Sequence, residues 1–317
     1  MRILSLFVSF LLSASVFAQA YPSKPIRYIV PFPPGGSSDL IARAIAPKMA
    51  ERLGQPIIVE NRPGAGGMLG VDVVAKAEPD GYTIGLAAAG ALSSNVHLYP
   101  KMPFDPEKDL APISNLAMIP FFLVAHPSAP GSIKALIAQA KAKPGALSYG
   151  HGGQGSTMHL AGELLNMLAK VNVQSVPYKG SAPVSSDVLG NQIPFGVVDV
   201  PSAISNVKAG KLRALAVTSK TRIAAAPDVP TFEEAGVPGY EAVGWFGSVA
   251  PAGTPREIIQ RLNLETRNAL ALPDVRERVI AAGTEPATTT PEEFAAYIRE
   301  ETKKWGEVVR AAGIKLQ

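Results

Sequence analysis

The chain has 317 residues, 47% of them hydrophobic and 18% charged, with a formal net charge of +4. Its basic residues are scattered without a long run of like charge, which disfavours a nucleic-acid-binding surface. It contains no cysteine, and this excludes disulfides and a lipid anchor attached through a cysteine. The length is sufficient for two domains of ordinary size.

The first twenty residues have the pattern of a secretory signal peptide. Arg2 supplies a positive charge, residues 3–17 form an apolar run, and Ala18-Gln19-Ala20 is a small-residue cleavage site. The apolar run is shorter than the roughly 20 residues that a membrane-spanning helix needs. We therefore expect export and cleavage after Ala20, without a lipid anchor. A Gram-negative periplasm fits best, because exported animal domains usually depend on disulfides.

Strand and helix patterns alternate at the start of the mature sequence. Apolar residues recur at a period near 3.6 in the first helix, and Gly54 ends it. The predicted order is strand 26–30, helix 39–53, strand 56–59, helix 67–77 and strand 82–87. This β-α-β-α-β order predicts parallel strands with helices on both faces.

A second α/β unit follows the first. Its predicted strands are 121–125, 147–150, 173–176, 195–200 and 212–218, and its predicted helices are 132–143, 155–170, 181–189 and 202–209. The remaining sequence predicts one strand, 243–250, and three helices, 255–270, 274–282 and 291–312. This tail has too few strands for a third α/β domain, so we expect it to pack on the first unit.

The chain is therefore predicted to form an α/β fold of two lobes. Lobe 1 would comprise residues 21–122 and 221–317, and lobe 2 residues 123–220. The chain would cross between them twice, near residues 119–125 and 214–222. Two lobes around a hinge and a cleft suit closure on a ligand.

Four loops that follow predicted strands combine small residues with hydroxyls beside a helix start. They are residues 32–39, 87–95, 150–157 and 177–183. Open α/β sheets bind ligands at the carboxyl ends of their strands, and the free N–H groups of a helix start attract anions. Ordinary turns and helix caps explain any one loop equally well. Four such loops around one cleft favour a binding site.

The loop 150–157 also has the spacing of a nucleotide-binding motif. Gly150, Gly152 and Gly155 follow a predicted strand and precede a helix, as in dinucleotide-binding folds. The next strand, however, ends without the acidic residue that would bind the ribose. No P-loop spacing is present either. We therefore expect no nucleotide cofactor.

Two kinds of catalytic or metal site remain as alternatives at this loop. Ser156 lies near His151 and His159, which leaves an exported serine hydrolase open, although no Gly-x-Ser-x-Gly elbow is present. His159 and Glu163 lie one helical turn apart and would make half of a metal site, but no second cluster completes it. A hydrogen bond through which His159 pins the Gly-rich loop is the favoured interpretation.

Three more residues have two interpretations each. Asp199 ends a predicted strand and either reaches the cleft or caps the helix that follows. Asp39 presents the same choice at the first helix. Trp245 lies in strand 243–250 and, like its neighbour Phe246, either lines the cleft or packs in the core, which is the commoner role of such aromatics.

Seven blocks of the mature sequence occur in the order of a known family. They are YPSKPIRYIVPFPPGG at 21–36, VENRPGAGG at 59–67, PDGYT at 79–83, GSTMHLAGE at 155–163, VPYKG at 176–180, GKLRALAVT at 210–218 and APAGTP at 250–255. In these blocks the chain resembles the extracytoplasmic solute receptors of tripartite tricarboxylate transporters, the Bug family. It departs from the family in the second loop, where residues 87–91 are poorer in hydroxyls than in many members, and at His151 and Gln154 in the third loop.

The resemblance implies a Venus-flytrap fold of the type II kind and a receptor rather than an enzyme. It implies binding of a small carboxylate (a di- or tricarboxylate, an amino acid or an aromatic acid) and delivery to a membrane permease, without metal or cofactor. We expect a monomer. A sensor that reports ligand to a kinase is the alternative. The ligand-binding residues that we expect are Phe32, Gly35, Gly36, Ser37, Asp39, Ala89, Gly155, Ser156, Thr157, Tyr178, Asp199 and Trp245.

The residues themselves favour a carboxylate as the ligand. The first three loops contain no Arg or Lys that would clamp a phosphate with two parallel hydrogen bonds. Binding would then depend on helix N-termini, backbone amides and bridging waters, which rearrange readily on release.

Overall fold

Two β-sheets, each packed with helices, form two lobes in the computed structural model, which describes residues 21–315. The α/β fold of two lobes that the sequence predicts is confirmed. The expected signal peptide, residues 1–20, lies outside the described residues. Within residues 21–315, no helix is long and apolar enough to cross a membrane.

Each sheet combines parallel and antiparallel strands. Within residues 21–315 the strands are β1 (Ile26–Val30), β2 (Ile57–Asn61), β3 (Thr83–Ala88), β4 (Leu110–Ile119), β5 (Phe121–Ala125), β6 (Ser148–His151), β7 (Gln174–Pro177), β8 (Phe195–Asp199), β9 (Arg213–Val217), β10 (Gly244–Pro251) and β11 (Glu285–Pro286). The first sheet has the order β11-β4-β10-β3-β1-β2, and the second has the order β7-β6-β8-β5-β9. Strands β1 to β3 pair in parallel, as do β6 to β8. The remaining strands add antiparallel pairs.

Helices connect these strands and supply the rest of the core. They are α1 (Ser37–Leu53), α2 (Met68–Ala75), α3 (Asn95–Leu98), α4 (Ile133–Ala142), α5 (Thr157–Ala169), α6 (Ser181–Leu189), α7 (Val200–Lys208), α8 (Arg256–Ala271), α9 (Pro273–Ala281) and α10 (Pro291–Ala312). A 3-10 turn at Ala65–Gly67 precedes α2, and a π-helical turn at Gly90–Ser94 follows β3.

Strand β1 illustrates why the first sheet needs helices on both faces. Tyr28 and Val30 pack with α1 and α8, whereas Ile29 packs on the opposite face with Val71 of α2 and Phe294 of α10. All of these side chains are fully buried. Burying each one contributes roughly 1.5–3 kcal/mol, so the strand forms only as the middle of a three-layer lobe.

The segment between β9 and β10 packs beside the second sheet. Phe232 stacks on Tyr240 with ring centroids 3.8 Å apart, and both join the core around Tyr149. The Tyr240 hydroxyl donates a hydrogen bond to the carbonyl of Ala161 at 2.9 Å. Residues 221–243 were expected in lobe 1, and these contacts place them against lobe 2. The expected lobe limits therefore stay a prediction.

The two crossings between the lobes lie side by side. One is the step from β4 to β5, where Ile119 pairs with Gly244, the first residue of β10. The other enters β10 through Ala242, later in the chain than the expected 214–222. Thr218 connects them: its hydroxyl accepts from the Phe121 amide at 2.9 Å, and its carbonyl accepts from the Ala242 amide at 3.0 Å. The crossings thus form one hydrogen-bonded hinge.

Candidate ligand-binding cleft

The carboxyl ends of the parallel strands in both sheets lie beside the crossings. In the first sheet, β10 runs antiparallel to β3 and pairs Phe246 with Ala88, so the crossing end of β10 meets the carboxyl end of β3. In the second sheet, Phe121 at the start of β5 pairs with Asp199 at the end of β8. Both carboxyl edges therefore border the same cleft, where open α/β sheets bind ligands.

The first elbow, residues 32–39, opens α1 at this edge. Gly36 is the N-cap of α1 and offers no side chain to its first amides, while Gly35 turns the chain with a φ of 85°. Both glycines are exposed. The start of α1 therefore presents unsatisfied N–H groups and about half a positive charge toward the cleft. Ser37, the first helical residue, is half-buried beside them.

Asp39 holds this elbow together from within. Its carboxylate accepts three hydrogen bonds of 2.9 Å, from the Gly35 amide, the Arg43 guanidinium and the Asn61 amide group. Burial alone would raise the pKa of Asp39, but these donors outweigh it and lower the pKa below its usual value. Both oxygens are thus engaged inside the lobe, and the carboxylate is 3% exposed. Its role is to fix the turn of Gly35.

Phe32 forms an apolar wall beside the elbow. Its ring centroid lies 6.2 Å from that of Phe246, and its carbonyl accepts a hydrogen bond from the Asn61 side chain at 3.0 Å. A Cβ on Gly67 would lie 3.1 Å from the Phe32 ring, so glycine at 67 permits this close approach. The wall offers a surface for the carbon chain of a small acid.

Trp245 does not belong to this wall. It is fully buried, its ring packs edge-on against Phe294 and Tyr297, and its indole N–H donates to Glu301 at 3.3 Å. Neighbouring residues of a strand point to opposite faces. Phe246 therefore packs near Phe32, and Trp245 lies in the core on the other side. The expected cleft position of Trp245 is corrected accordingly.

Ala89 follows β3 at the same edge. It is nearly fully buried, and its carbonyl accepts the Ser93 hydroxyl at 2.6 Å. The π-helical turn Gly90–Ser94 begins here, and such turns are frequent at functional sites. Ala89 can offer the cleft little more than a small methyl surface.

The elbow of the second lobe, residues 153–157, is a closed hydrogen-bonded turn. The Ser156 hydroxyl donates to the Gly153 carbonyl at 2.7 Å and accepts from the His159 amide at 3.2 Å, which caps α5. The Gly155 amide donates to Nδ1 of His159 at 3.1 Å. The pinning of this loop by His159 is thus confirmed. Thr157, half-buried, begins α5.

Tyr178 follows β7, and its hydroxyl is committed within its own lobe. It donates to the Asp187 carboxylate at 2.7 Å. Burial first, and then the Asp187 carboxylate, raise the pKa of Tyr178 to about 12. The hydroxyl is therefore protonated at any physiological pH, and it orients the ring beside Gly150.

Asp199 caps α7 with one of its carboxylate oxygens. Its Oδ1 accepts from the Ser202 amide at 3.1 Å and from the Ser202 hydroxyl. Its own amide donates to the Ser181 hydroxyl at 3.1 Å. The residue is half-buried and lies at the crossing, opposite Phe121 in the β5–β8 pair. Within residues 21–315 the cap engages only Oδ1, and Oδ2 has no hydrogen bond.

The sequence also matches a known protein family over most of its length. The sequence profile described as Tripartite tricarboxylate transporter family receptor matches residues 41–314. The chain belongs to this receptor family. The resemblance to Bug receptors that the sequence motifs indicate is confirmed.

The receptor has relatives of known structure and of known sequence. Protein BugT of Bordetella pertussis is 40% identical over 308 residues, covering 96% of this chain and 94% of BugT. An R. palustris protein solved with adipate has a TM-score of 0.77 at 35% identity and covers 93% of this chain and 100% of its own. MatC from Rhodopseudomonas palustris with bound malate has a TM-score of 0.73 at 34% identity, with 91% and 100% covered. The fold and family are those of periplasmic substrate-binding receptors.

The geometry of the receptor disfavours the hydrolase alternative. A serine nucleophile needs its hydroxyl against the base that takes its proton. Here the Ser156 hydroxyl donates to a backbone carbonyl, and Nδ1 of His159 accepts from the Gly155 amide. Within residues 21–315, no three His, Asp or Glu side chains lie together as a metal ion would require.

Two residues that shape the receptor's cleft were not singled out from the sequence. They are Arg43 and Asn61, which hold Asp39. Asn61 ends β2 beside β1, so its position at the carboxyl edge was a usable signal. Arg43 follows Asp39 by four residues, the spacing of a helical ion pair.

Proposed function

We propose that this receptor binds a small organic carboxylate between its lobes and delivers it to a membrane permease of the tripartite tricarboxylate type. The observation that carries the proposal is the uncapped start of α1 at the carboxyl edge of the first sheet. A carboxylate there would accept hydrogen bonds from backbone amides and gain from the helix dipole.

The chemistry of the cleft favours a carboxylate over a phosphate. Residues 32–39, 87–95 and 150–157 contain no Arg or Lys. The neighbouring structures with adipate and with malate contain ligands of this class. The apolar wall of Phe32 and Phe246 would cover the methylene groups of such an acid.

The proposed contacts divide between the lobes. Phe32, Gly35, Gly36, Ser37 and Ala89 would contribute amides and apolar surface from the first lobe. The second lobe would contribute Thr157 and Asp199, while Gly155 and Ser156, whose amides bond to His159 and to Gly153, would shape the turn that presents them. Asp39 and Tyr178, whose polar atoms are engaged within their lobes, would position these residues rather than contact the acid.

The proposed biological setting follows from the family and the sequence start. We propose export through the signal peptide with cleavage after Ala20, and a periplasmic monomer without catalytic activity. A two-lobed surface formed on closure would be recognised by the permease, because the open state lacks that surface.

Isothermal titration calorimetry of the mature protein tests the binding proposal. The panel contains malate, adipate, citrate, aspartate and benzoate, with adipamide as an uncharged control of the same carbon chain. We expect one-to-one binding of at least one acid and none of adipamide. Failure of every acid to bind, or equal binding of adipate and adipamide, would contradict the proposal.

A further inference from the structure

Two buried histidines lie beneath the second-lobe elbow. The rings of His151 and His159 stack with centroids 4.3 Å apart and an interplanar angle of 16°. Their exposed fractions are 0% and 1%.

His159 takes the place of an acid in a capping box. In the usual form, a Ser at the N-cap and a Glu three residues later satisfy each other's backbone amides. Here the Ser156 hydroxyl accepts from the His159 amide, and His159 reaches back with Nδ1 to the amide of Gly155. An imidazole does this only while Nδ1 carries no proton.

His151 supports the same turn from the strand side. Its Nδ1 lies 2.9 Å from the Gly153 carbonyl and 3.3 Å from the Gly153 amide. Its Nε2 is buried and has no hydrogen-bond partner among residues 21–315. A second proton on this ring would therefore be a buried charge stacked against the other imidazole.

We propose that His159 and His151, as a neutral stacked pair, hold the second-lobe elbow in its binding geometry, and that a second proton on His159 releases it. Protonated Nδ1 of His159 would face the Gly155 N–H as donor against donor. The elbow would then lose the bond that fixes Gly155, whose φ of 74° is strained for any other residue.

The groups around the pair support a neutral state at ordinary pH. Burial lowers the pKa of His159, with Glu163 opposing it from 3.8 Å, and burial followed by the neighbouring ring lowers the pKa of His151 to about 4. Glu163 itself accepts from the Tyr149 hydroxyl at 2.8 Å. The part of α10 that packs on α5 contributes apolar side chains to the hydrophobic core that contains Tyr149. These are Trp305, Val308 and Val309.

The test follows the hydrogen bonding of the elbow itself and requires no ligand. Amide hydrogen exchange at Gly155, corrected for intrinsic rate, is followed from pH 7.5 to 4 together with the imidazole NMR signals. The amide of Leu160, which bonds to the Ser156 carbonyl at 3.0 Å, reports on α5 itself. We expect the Gly155 protection factor to fall at least tenfold as His159 titrates, while Leu160 stays protected.

Matched variants at His159 separate the effect of losing the Nδ1 acceptor from the effect of protonating the ring. Asn in His159→Asn keeps an acceptor near the Nδ1 position without titrating, so protection should persist at every pH. His159→Leu removes the acceptor, so protection should already be lost at pH 7.5. His126→Leu, a histidine replacement elsewhere on this lobe, should behave as wild type. Full protection in His159→Leu, or a pH-dependent loss that persists in His159→Asn, would overturn the inference.

The consequence for ligand binding rests on the proposed function. Malate and adipate affinities measured at pH 7.5 and 5 should fall with the elbow's release. If neither acid binds at either pH while the exchange results hold, the proposed ligand class fails and the histidine inference stands. If an acid binds but hydrogen exchange at Gly155 does not depend on His159, the histidine inference fails and the proposed ligand class stands.

Discussion

Gly36 stands where the start of α1 meets the cleft. Its φ of −77° and ψ of 168° are ordinary extended values, so the backbone does not require glycine there. A Cβ at this position would have the Pro33 carbonyl, at 3.8 Å, as its nearest neighbour. The absence of a side chain therefore serves access to the amides of α1 rather than folding.

Gly36→Val should weaken binding without unfolding the lobe. The branched side chain would cover the first amides of α1, so we expect at least a tenfold loss of affinity for whichever acid binds the wild type. The melting temperature should change little, since no core contact is disturbed. Calorimetry and thermal unfolding check both parts, with Gly36→Ala as the milder control. Unchanged affinity in Gly36→Val would remove α1 from the binding site.

Asp199 uses one carboxylate oxygen to cap α7, and the other has no hydrogen bond within residues 21–315. This division suggests that its charge selects between ligands that carry an amine and ligands that do not. Malate and aspartate form a suitable pair, because they differ in a hydroxyl and an ammonium group.

Asp199→Asn should alter that selection at little cost in stability. Asn caps helices about as well as Asp, so the free energy of unfolding should change by less than about 0.5 kcal/mol. Loss of the charge should shift the ratio of malate to aspartate affinity severalfold toward malate. Calorimetry gives the ratio, and Asp228→Asn, an exposed carboxylate of the same lobe, is the control. The same ratio of malate to aspartate affinity in Asp199→Asn and in the wild type would refute selection by Asp199.

Residue directions were harder to predict than residue positions. Asp39, Gly35 and Ser156 lie at the carboxyl edges that the strand order predicts. Trp245 does too, but alternation along β10 sends its ring into the core. The sequence of β10 does not show which residues point toward the cleft and which toward the core. Both faces of the strand are buried, and both carry small or apolar residues.

At the scale of elements, local pattern predicted most of the fold. The bounds of β1, β5, α6 and α10 agree with the predicted ones, since each has a clear apolar period and a clear end. Most other predicted elements are confirmed to within two residues at each end.

Strand β4 was missed entirely. It contains Pro112 and the polar pair Ser114 and Asn115, which interrupt the apolar run. In the fold both polar residues are buried and bond to Thr289, far along the chain. The pairing with β10 is irregular at the same place. A partner so distant in sequence leaves no local signal.

We expect the histidine pair to make the second lobe sensitive to acid. In the unfolded chain His151 takes up its proton near its ordinary pKa of 6.5, whereas burial lowers the folded pKa to about 4. The unfolded state thus binds more protons between these values. The contribution of His151 to stability is complete above pH 6.5 and declines as the pH falls toward 4.

His151→Phe should flatten this dependence. The ring of Phe can still stack on His159 but does not titrate. We expect the wild type to lose up to about 3 kcal/mol of unfolding free energy between pH 6.5 and 4, and the variant to lose less. Urea denaturation across the pH range measures both, with His126→Leu as control. If the free energies of unfolding of His151→Phe and of the wild type fell in parallel with pH, the assignment of this pH dependence to His151 would be contradicted.

At the scale of the whole molecule, the hinge depends on one buried threonine. Thr218 is fully buried and bonds to both crossings. The lobes also touch beside the crossings, where a Cβ on Gly283 would lie 2.2 Å from Pro201 of α7. We expect closure on a ligand to keep the bonds of Thr218 while the cleft edges move.

Thr218→Val should destabilise the molecule at the hinge. Valine has the same shape but cannot accept from the Phe121 amide, which would be left buried and unpaired. We expect a loss of about 1–3 kcal/mol in the free energy of unfolding by urea. Ser219→Ala, at the half-buried neighbour, is the control and should change little. A loss equal to that of the control would show that the bond does not matter to the hinge.

The central claim is that a small carboxylate lies between the lobes against the start of α1. Native mass spectrometry of the protein purified from its periplasm, followed by identification of the released compound, tests it most directly. We predict a one-to-one adduct that is a small organic acid in the wild type and is missing in Gly36→Val. A bound compound without a carboxylate, or the same adduct at the same occupancy in Gly36→Val, would contradict the account.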